Sequence, residues 1–155
     1  MRTMKSVLLL ITLLFTPGLF SQTTPDPALL AEVRASIDAV NQQWIKGFEN
    51  RDIEQVMATF APDAVKLAKD GKTYQGLDAI RSLVTAIMDY FGEEVRITVK
   101  TLDVWVVDEK AFETAEYSYT FLRKGESVTE TGTYCTMWMK QPDKSWKVAL
   151  DVPVK

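Results

Sequence analysis

Apart from one short stretch, the apolar residues of this chain recur every third and fourth position up to Phe91, and every second position from Val95 onward. A period near 3.6 lines side chains along one stripe of a helix, whereas a period of two puts them on one face of a strand. A chain carrying the two patterns in succession must bury helical stripes against a sheet. Leu30, Val33, Ile37, Val40, Trp44 and Phe48 form the first stripe. Ile53, Val56, Met57 and Phe60 resume it after a corner at Asn50-Arg51-Asp52. Asp26 is placed to cap the first helix, with Pro27 in the first turn, where a missing N–H costs nothing. Asp52 and Gln55 have capping-box spacing. Ala61-Pro62-Asp63 is expected to end the second helix, because proline disfavours the helical conformation before it.

Ala64–Ala68 reads as a short strand, Asp70-Gly71-Lys72 as its turn, and Thr73-Tyr74-Gln75-Gly76 as the lead into a third helix. That helix buries Ile80, Leu83, Val84, Ile87 and Phe91, and Gly92 is its expected stop. Four long strands follow, separated by short turns at Asp108-Glu109-Lys110, Lys124-Gly125-Glu126 and Pro142-Asp143-Lys144-Ser145. Links this short join antiparallel neighbours, since parallel ones need crossovers. In the first long strand, the unbroken run Val104-Trp105-Val106-Val107 implies either a bulge or cover on both faces. The expected fold is α+β: three N-terminal helices packed on one face of a strongly curved antiparallel sheet.

Arg2 and Lys5 precede the apolar run Val7–Phe15, and Pro17-Gly18 follows it, the layout of a secretory signal. Residues 1–21 are therefore expected to be a signal cleaved after Ser21, 22–27 a polar tether, and 28–154 the domain. The run is too short for a permanent anchor, so no stable membrane attachment is expected after cleavage. The exported protein would be periplasmic or extracellular. Cleavage moves the formal charge from −3 to −5, and the remaining basic residues are scattered, which argues against nucleic acid as a partner. There is no histidine, which excludes a Ser-His-Asp relay, a Cys-His pair and an imidazole zinc site. No calcium-loop spacing is present, and neither a metal nor a cofactor is expected. Cys135, the single cysteine, reads as a buried small hydrophobe within a strand.

In the third long strand Tyr134, Thr136 and Trp138 point one way, and Cys135, Met137 and Met139 point the other. Both sets are largely apolar, so the face away from the helices also wants cover. A homodimer formed sheet to sheet would provide it.

Several segments together resemble the NTF2-like superfamily of cone-shaped α+β domains, and within it the SnoaL-like and DUF4440 groups. Trp44, Phe48, Asn50 and Asp52 resemble the family's first helix and corner. Phe60-Ala61-Pro62-Asp63-Ala64 resembles its entry to the small strand, and Gly76-Leu77-Asp78-Ala79-Ile80 its helix start. Gly132-Thr133-Tyr134, Trp138-Met139-Lys140 and Trp146-Lys147-Val148 resemble its terminal hairpin. The resemblance implies a cone whose interior can serve as a pocket, with dimers common and functions ranging from isomerases, cyclases and dehydratases to association domains. Fold alone does not choose among these. In the isomerases, the oxyanion-holding tyrosine, the general-base aspartate and the second acidic donor would fall at about Trp44, Ala68 and Thr136. Trp44 cannot donate through a hydroxyl, Ala68 cannot move a proton, and Thr136 is a poor substitute for a protonated carboxylic acid. Asp70, two residues past Ala68, reads as a solvated turn residue.

If the cone opens inward, its lining should include Trp44, Tyr117, Tyr119, Tyr134 and Trp138, with Tyr74 or Tyr90 near the mouth. Aromatics with a polar edge suit a small apolar or aromatic ligand. By alternation Glu130 shares the side of Tyr134 and Trp138, whereas Glu116 faces away. Two readings follow. One is a noncatalytic binding or association domain, which entails no charged group deep in the cavity. The other is a cyclase, dehydratase or isomerase using Glu130 or Asp151 as its acid-base residue.

Overall fold

The Asp26 carboxylate accepts a hydrogen bond from the Ala28 N–H at 3.0 Å, and helix α1 (Pro27–Glu49) starts with its proline in the first turn, as the capping residues imply. This comes from a computed structural model that describes residues 26–154. The expected signal, 1–21, and residues 22–25 of the tether lie outside the described residues. Asp52 caps α2 (Ile53–Met57) by accepting from the Gln55 N–H. Only half of the capping box forms, because the Gln55 side-chain amide donates instead to the Gln43 carbonyl.

Helix α2 is shorter than its sequence pattern. Strand β1 (Phe60–Leu67) already begins at Phe60, so Ala61-Pro62-Asp63 does not terminate a helix but lies within a strand. Proline is tolerated there because the ladder to the neighbouring strand is interrupted between Phe60 and Val65, where no N–H is asked of it. Ala68 falls beyond the strand, in the turn leading to β2 (Thr73–Gln75), a three-residue strand that the sequence pattern conceals as a helix lead-in. Helix α3 (Leu77–Phe91) buries Ile80, Val84, Met88 and Phe91 and stops at Gly92, whose φ of 76° is the left-handed conformation that glycine adopts without strain.

The remaining strands are β3 (Val95–Val107), β4 (Lys110–Arg123), β5 (Glu126–Lys140) and β6 (Trp146–Val154). They form an antiparallel meander within one six-stranded sheet of order β2-β1-β6-β5-β4-β3. The sheet is not wholly antiparallel: β1 runs parallel to β6, with Lys66 paired to Asp151. A parallel neighbour needs a long connection, and everything between β1 and β6 supplies it. In β3 the register shifts between Thr101 and Asp103, which is the bulge implied by the Val104–Val107 run. Cover on both faces is ruled out, because Trp105 and Val107 are 49% and 56% exposed. Asp151, expected after the last strand, lies inside β6.

The helices pack on one face of the sheet. Ile37, Phe48, Ile80, Phe121 and Trp138 are all at most 2% exposed and form part of a single core. Each such side chain contributes about 1.5–3 kcal/mol by leaving water.

Candidate functional site

Between the helices and the concave face of the sheet lies a cavity of about 480 Å³. Six of the seven residues expected to line it do so: Trp44, Tyr117, Tyr119, Glu130, Tyr134 and Trp138. Tyr74 does not. It is the register partner of Lys66 on β2, the edge strand of the sheet, so it lies one strand beyond the wall, half-buried against the core. Tyr90, from α3, takes the position at the mouth.

One wall is an aromatic ladder. Strand alternation sets Tyr117 and Tyr119 on the concave face of β4, with ring centroids 4.8 Å apart, and Tyr134 on β5 stacks 6.3 Å from Tyr117. Gly132 lies opposite Tyr117 in register, and a Cβ there would come within 2.4 Å of the Tyr117 hydroxyl. The glycine thus lets that ring lie flat across its neighbour's backbone. Burial pushes the Tyr119 and Tyr134 hydroxyls far above the usual range, with nearby carboxylates adding to the effect, so both stay neutral donors.

The cavity is not free of charge, contrary to the expectation attached to a noncatalytic cone. Lys66 and Asp151 form an ion pair on its wall, with side chains only 17% and 18% exposed. Parallel pairing of β1 with β6 makes them direct neighbours, and no pattern within either strand announces the match. At the mouth, Glu130 accepts from the Tyr90 hydroxyl at 2.9 Å and lies 3.7 Å from the Lys69 ammonium. Lys69 also stands over the Tyr117 ring, and Tyr117, then Glu130, raise its pKa and hold it charged. Both carboxylates considered as acid-base residues therefore lie on the cavity, each already committed to partners.

A third carboxylate was missed by pattern reading. Glu113 is fully buried, just behind the cavity wall. Its Oε1 accepts from Asn41 Nδ2 at 2.9 Å and from Thr101 Oγ1 at 2.7 Å, and its Oε2 accepts from Trp138 Nε1 at 3.1 Å. Burial pushes its carboxyl above the usual range, and the three hydrogen bonds oppose that rise. The signal was available, since Glu113 alternates with Ala111, Ala115 and Tyr117 on the inward side.

The positions that resemble catalytic residues of the isomerases are placed as follows. Trp44 and Ala68 line the cavity, while Thr136 is buried beside Glu113 in register and does not line it. Asp70 is an exposed turn residue paired with Lys72, and Glu116 faces outward near Lys100. Cys135 is half-buried on the outer face and not in the core, because β5 turns that side away from the helices. Burial raises its thiol pKa and keeps it protonated.

A family model described as a SnoaL-like domain matches residues 37–150. None of the curated proteins compared with the chain matches it. Among solved structures, the chain is similar to Aln2 from a Streptomyces species (TM-score 0.72, 16% identity, covering 84% of this chain and 93% of that one). It is also similar to an NTF2-like superfamily protein from Salmonella enterica serovar Typhimurium (TM-score 0.71, 15% identity, 80% and 91% covered). LinA matches with a TM-score of 0.70 at 14% identity, over 80% of this chain and 86% of that one. At these identities the likeness is one of fold. With the family match covering most of the described helices and strands, the chain has the NTF2-like fold and belongs to the SnoaL-like domain family.

Proposed function

We propose that this domain binds a compact, largely apolar molecule inside the cone and does not turn it over. The observation that carries the reading is the cavity of about 480 Å³, walled by aromatics and entered past Tyr90 and Glu130. That volume lies within the range of small-molecule pockets. Lys66 and Asp151 supply an adjacent donor and acceptor for a polar end of the ligand. A general base must be free to take a proton from its substrate, yet Asp151 is held by Lys66 and Glu130 by Tyr90 and Lys69. A cyclase, dehydratase or isomerase reading stays second. It is favoured by one observation, that Asp151 lies on the wall itself.

Titration of the protein with 2-naphthol, followed by tryptophan fluorescence, tests the binding reading, since Trp44 and Trp138 both line the cavity. Saturable one-to-one quenching is expected. Ala86→Phe, on the exposed face of α3 at the mouth, should weaken binding about tenfold or more by obstructing entry. Absence of saturable binding, or binding indifferent to Ala86→Phe, would overturn the proposal. A retained ligand whose mass changes on incubation, unless Asp151→Asn is present, would move the assignment to an enzyme.

The export expected from residues 1–21 would place this domain in the periplasm or outside the cell. A second copy is inferred as its partner. Trp105, Phe112, Met137 and Leu150 lie in one row across four strands on the outer face. Trp105 at one end is half exposed, a poor state for an indole facing water. Sedimentation velocity at micromolar concentration should give a dimer that Trp105→Glu dissociates. A wild-type monomer would remove the inference.

A further inference from the structure

The polar groups behind the aromatic wall have a direction. Trp138 Nε1 can only donate, so the Glu113 oxygen facing it must accept. An ionised carboxylate accepts at both oxygens, which suits Asn41 and Trp138 as donors, while the single proton of the Thr101 hydroxyl lies between Glu113 Oε1 at 2.7 Å and Asp38 Oδ1 at 3.1 Å. The Glu113 carboxylate then dictates the orientation of Asn41: the amide NH₂ must face Glu113, and Oδ1 must point away. Asn41 sits on the α1 stripe between Ile37 and Trp44, where an apolar residue would continue the pattern. It lines both the main cavity and a smaller polar hollow beside Arg34 and Asp38. Among the described residues nothing donates to Asn41 Oδ1, and no buried side-chain nitrogen or oxygen is left without a partner. That oxygen is therefore accessible at a residue that lines both hollows.

We infer that Glu113 is a positioning residue which fixes Asn41 as a hydrogen-bond acceptor, so that the cavity selects neutral aromatic ligands bearing a hydroxyl or N–H donor. This rests on the small-molecule reading and names the ligand class for the same cavity. A carboxylate behind the wall performs a task that a neutral amide would reverse. In Glu113→Gln the new side-chain oxygen must still face the Trp138 N–H, which leaves its NH₂ toward Asn41. Asn41 then turns to offer Oδ1 to that introduced amide and Nδ2 to the cavity, and the preferred ligand changes from donor to acceptor.

The test compares 2-naphthol with 2-methoxynaphthalene, which has the same ring but no donor. The wild-type protein should bind 2-naphthol about tenfold more tightly, the value of one well-made hydrogen bond. Glu113→Gln should abolish or invert that ratio, and Asn41→Leu should abolish it while leaving 2-methoxynaphthalene binding in place. Equal wild-type affinities overturn this inference and leave the binding reading standing. Failure of both probes to bind overturns both. If Glu113→Gln does not fold, NMR of the wild-type protein decides: the Asn41 side-chain amide and the Trp138 indole N–H should shift together as acid protonates Glu113. Unlinked or absent shifts overturn the inference.

Discussion

Replacing Trp138 with alanine should destabilise the domain by about 3–5 kcal/mol, lowering its Tm on the order of 10 °C. The side chain is 1% exposed on the cavity wall, so its removal leaves a void continuous with the cavity. It also strips Oε2 of Glu113 of its donor. Trp138→Phe separates the two effects. It keeps most of the ring but deletes the N–H, and should still cost about 1–3 kcal/mol by leaving a buried charged acceptor unpaired. Denaturant unfolding of Trp138→Phe, Glu113→Gln and the double variant forms a thermodynamic cycle. The expected coupling is about 1 kcal/mol, because the indole N–H then donates to a neutral amide oxygen and loses only the charge-assisted part of its bond. Strictly additive effects would show that the bond contributes only packing.

The helices and the meander could be read from the chain because each follows a single repeating pattern. The stripe from Leu30 to Phe48 has one solution as a helix, and turns such as Lys124-Gly125, where both residues take positive φ, have one solution as a hairpin. Where the reading went wrong, contacts distant in sequence overrode local signals. Pro62 reads locally as a helix stop, yet pairing with β6 draws Phe60 and Val65 into a strand around it. The site divides in the same way. Its aromatic wall follows from alternation, since Tyr117, Tyr119 and Tyr134 stand at positions that must face inward. Glu130 follows from the same alternation, but the other polar groups do not, because they are matched between elements: Lys66 with Asp151 across a parallel pair, and Asn41 with Glu113 from helix to sheet. What the chain does contain is an interruption in each pattern. Asn41 breaks the stripe of α1 and Glu113 breaks the inward alternation of β4, and the two breaks meet. A polar residue on an otherwise apolar face has to find a partner, so two such interruptions are a pairing signal.

The stability difference between the wild-type protein and Glu113→Gln should shift in favour of the wild type as pH falls from about 8 to about 4. Burial makes Glu113 a weaker acid in the folded protein than in the unfolded chain, whose carboxyl has the ordinary value of 4.5. The folded state therefore binds that proton more tightly, and the contribution to stability has a definite sign. It is fully present below the unfolded value and is lost as pH rises through the folded one, where the buried group must ionise. Each tenfold weakening of the acid is worth about 1.4 kcal/mol. Exposed carboxylates behave in the opposite sense. Glu54, Asp70 and Asp143 are held below their usual values, first of all by side-chain hydrogen bonds from Arg81, Lys72 and Ser145 respectively, so their contributions fade on acidification. They are common to both proteins and cancel in the difference, and glutamine has no proton to exchange at the remaining position. Urea unfolding at intervals across this range measures the difference directly. A flat profile would mean that the three donors fully offset burial, and a profile of opposite slope would mean that they outweigh it, making Glu113 a stronger acid folded than unfolded.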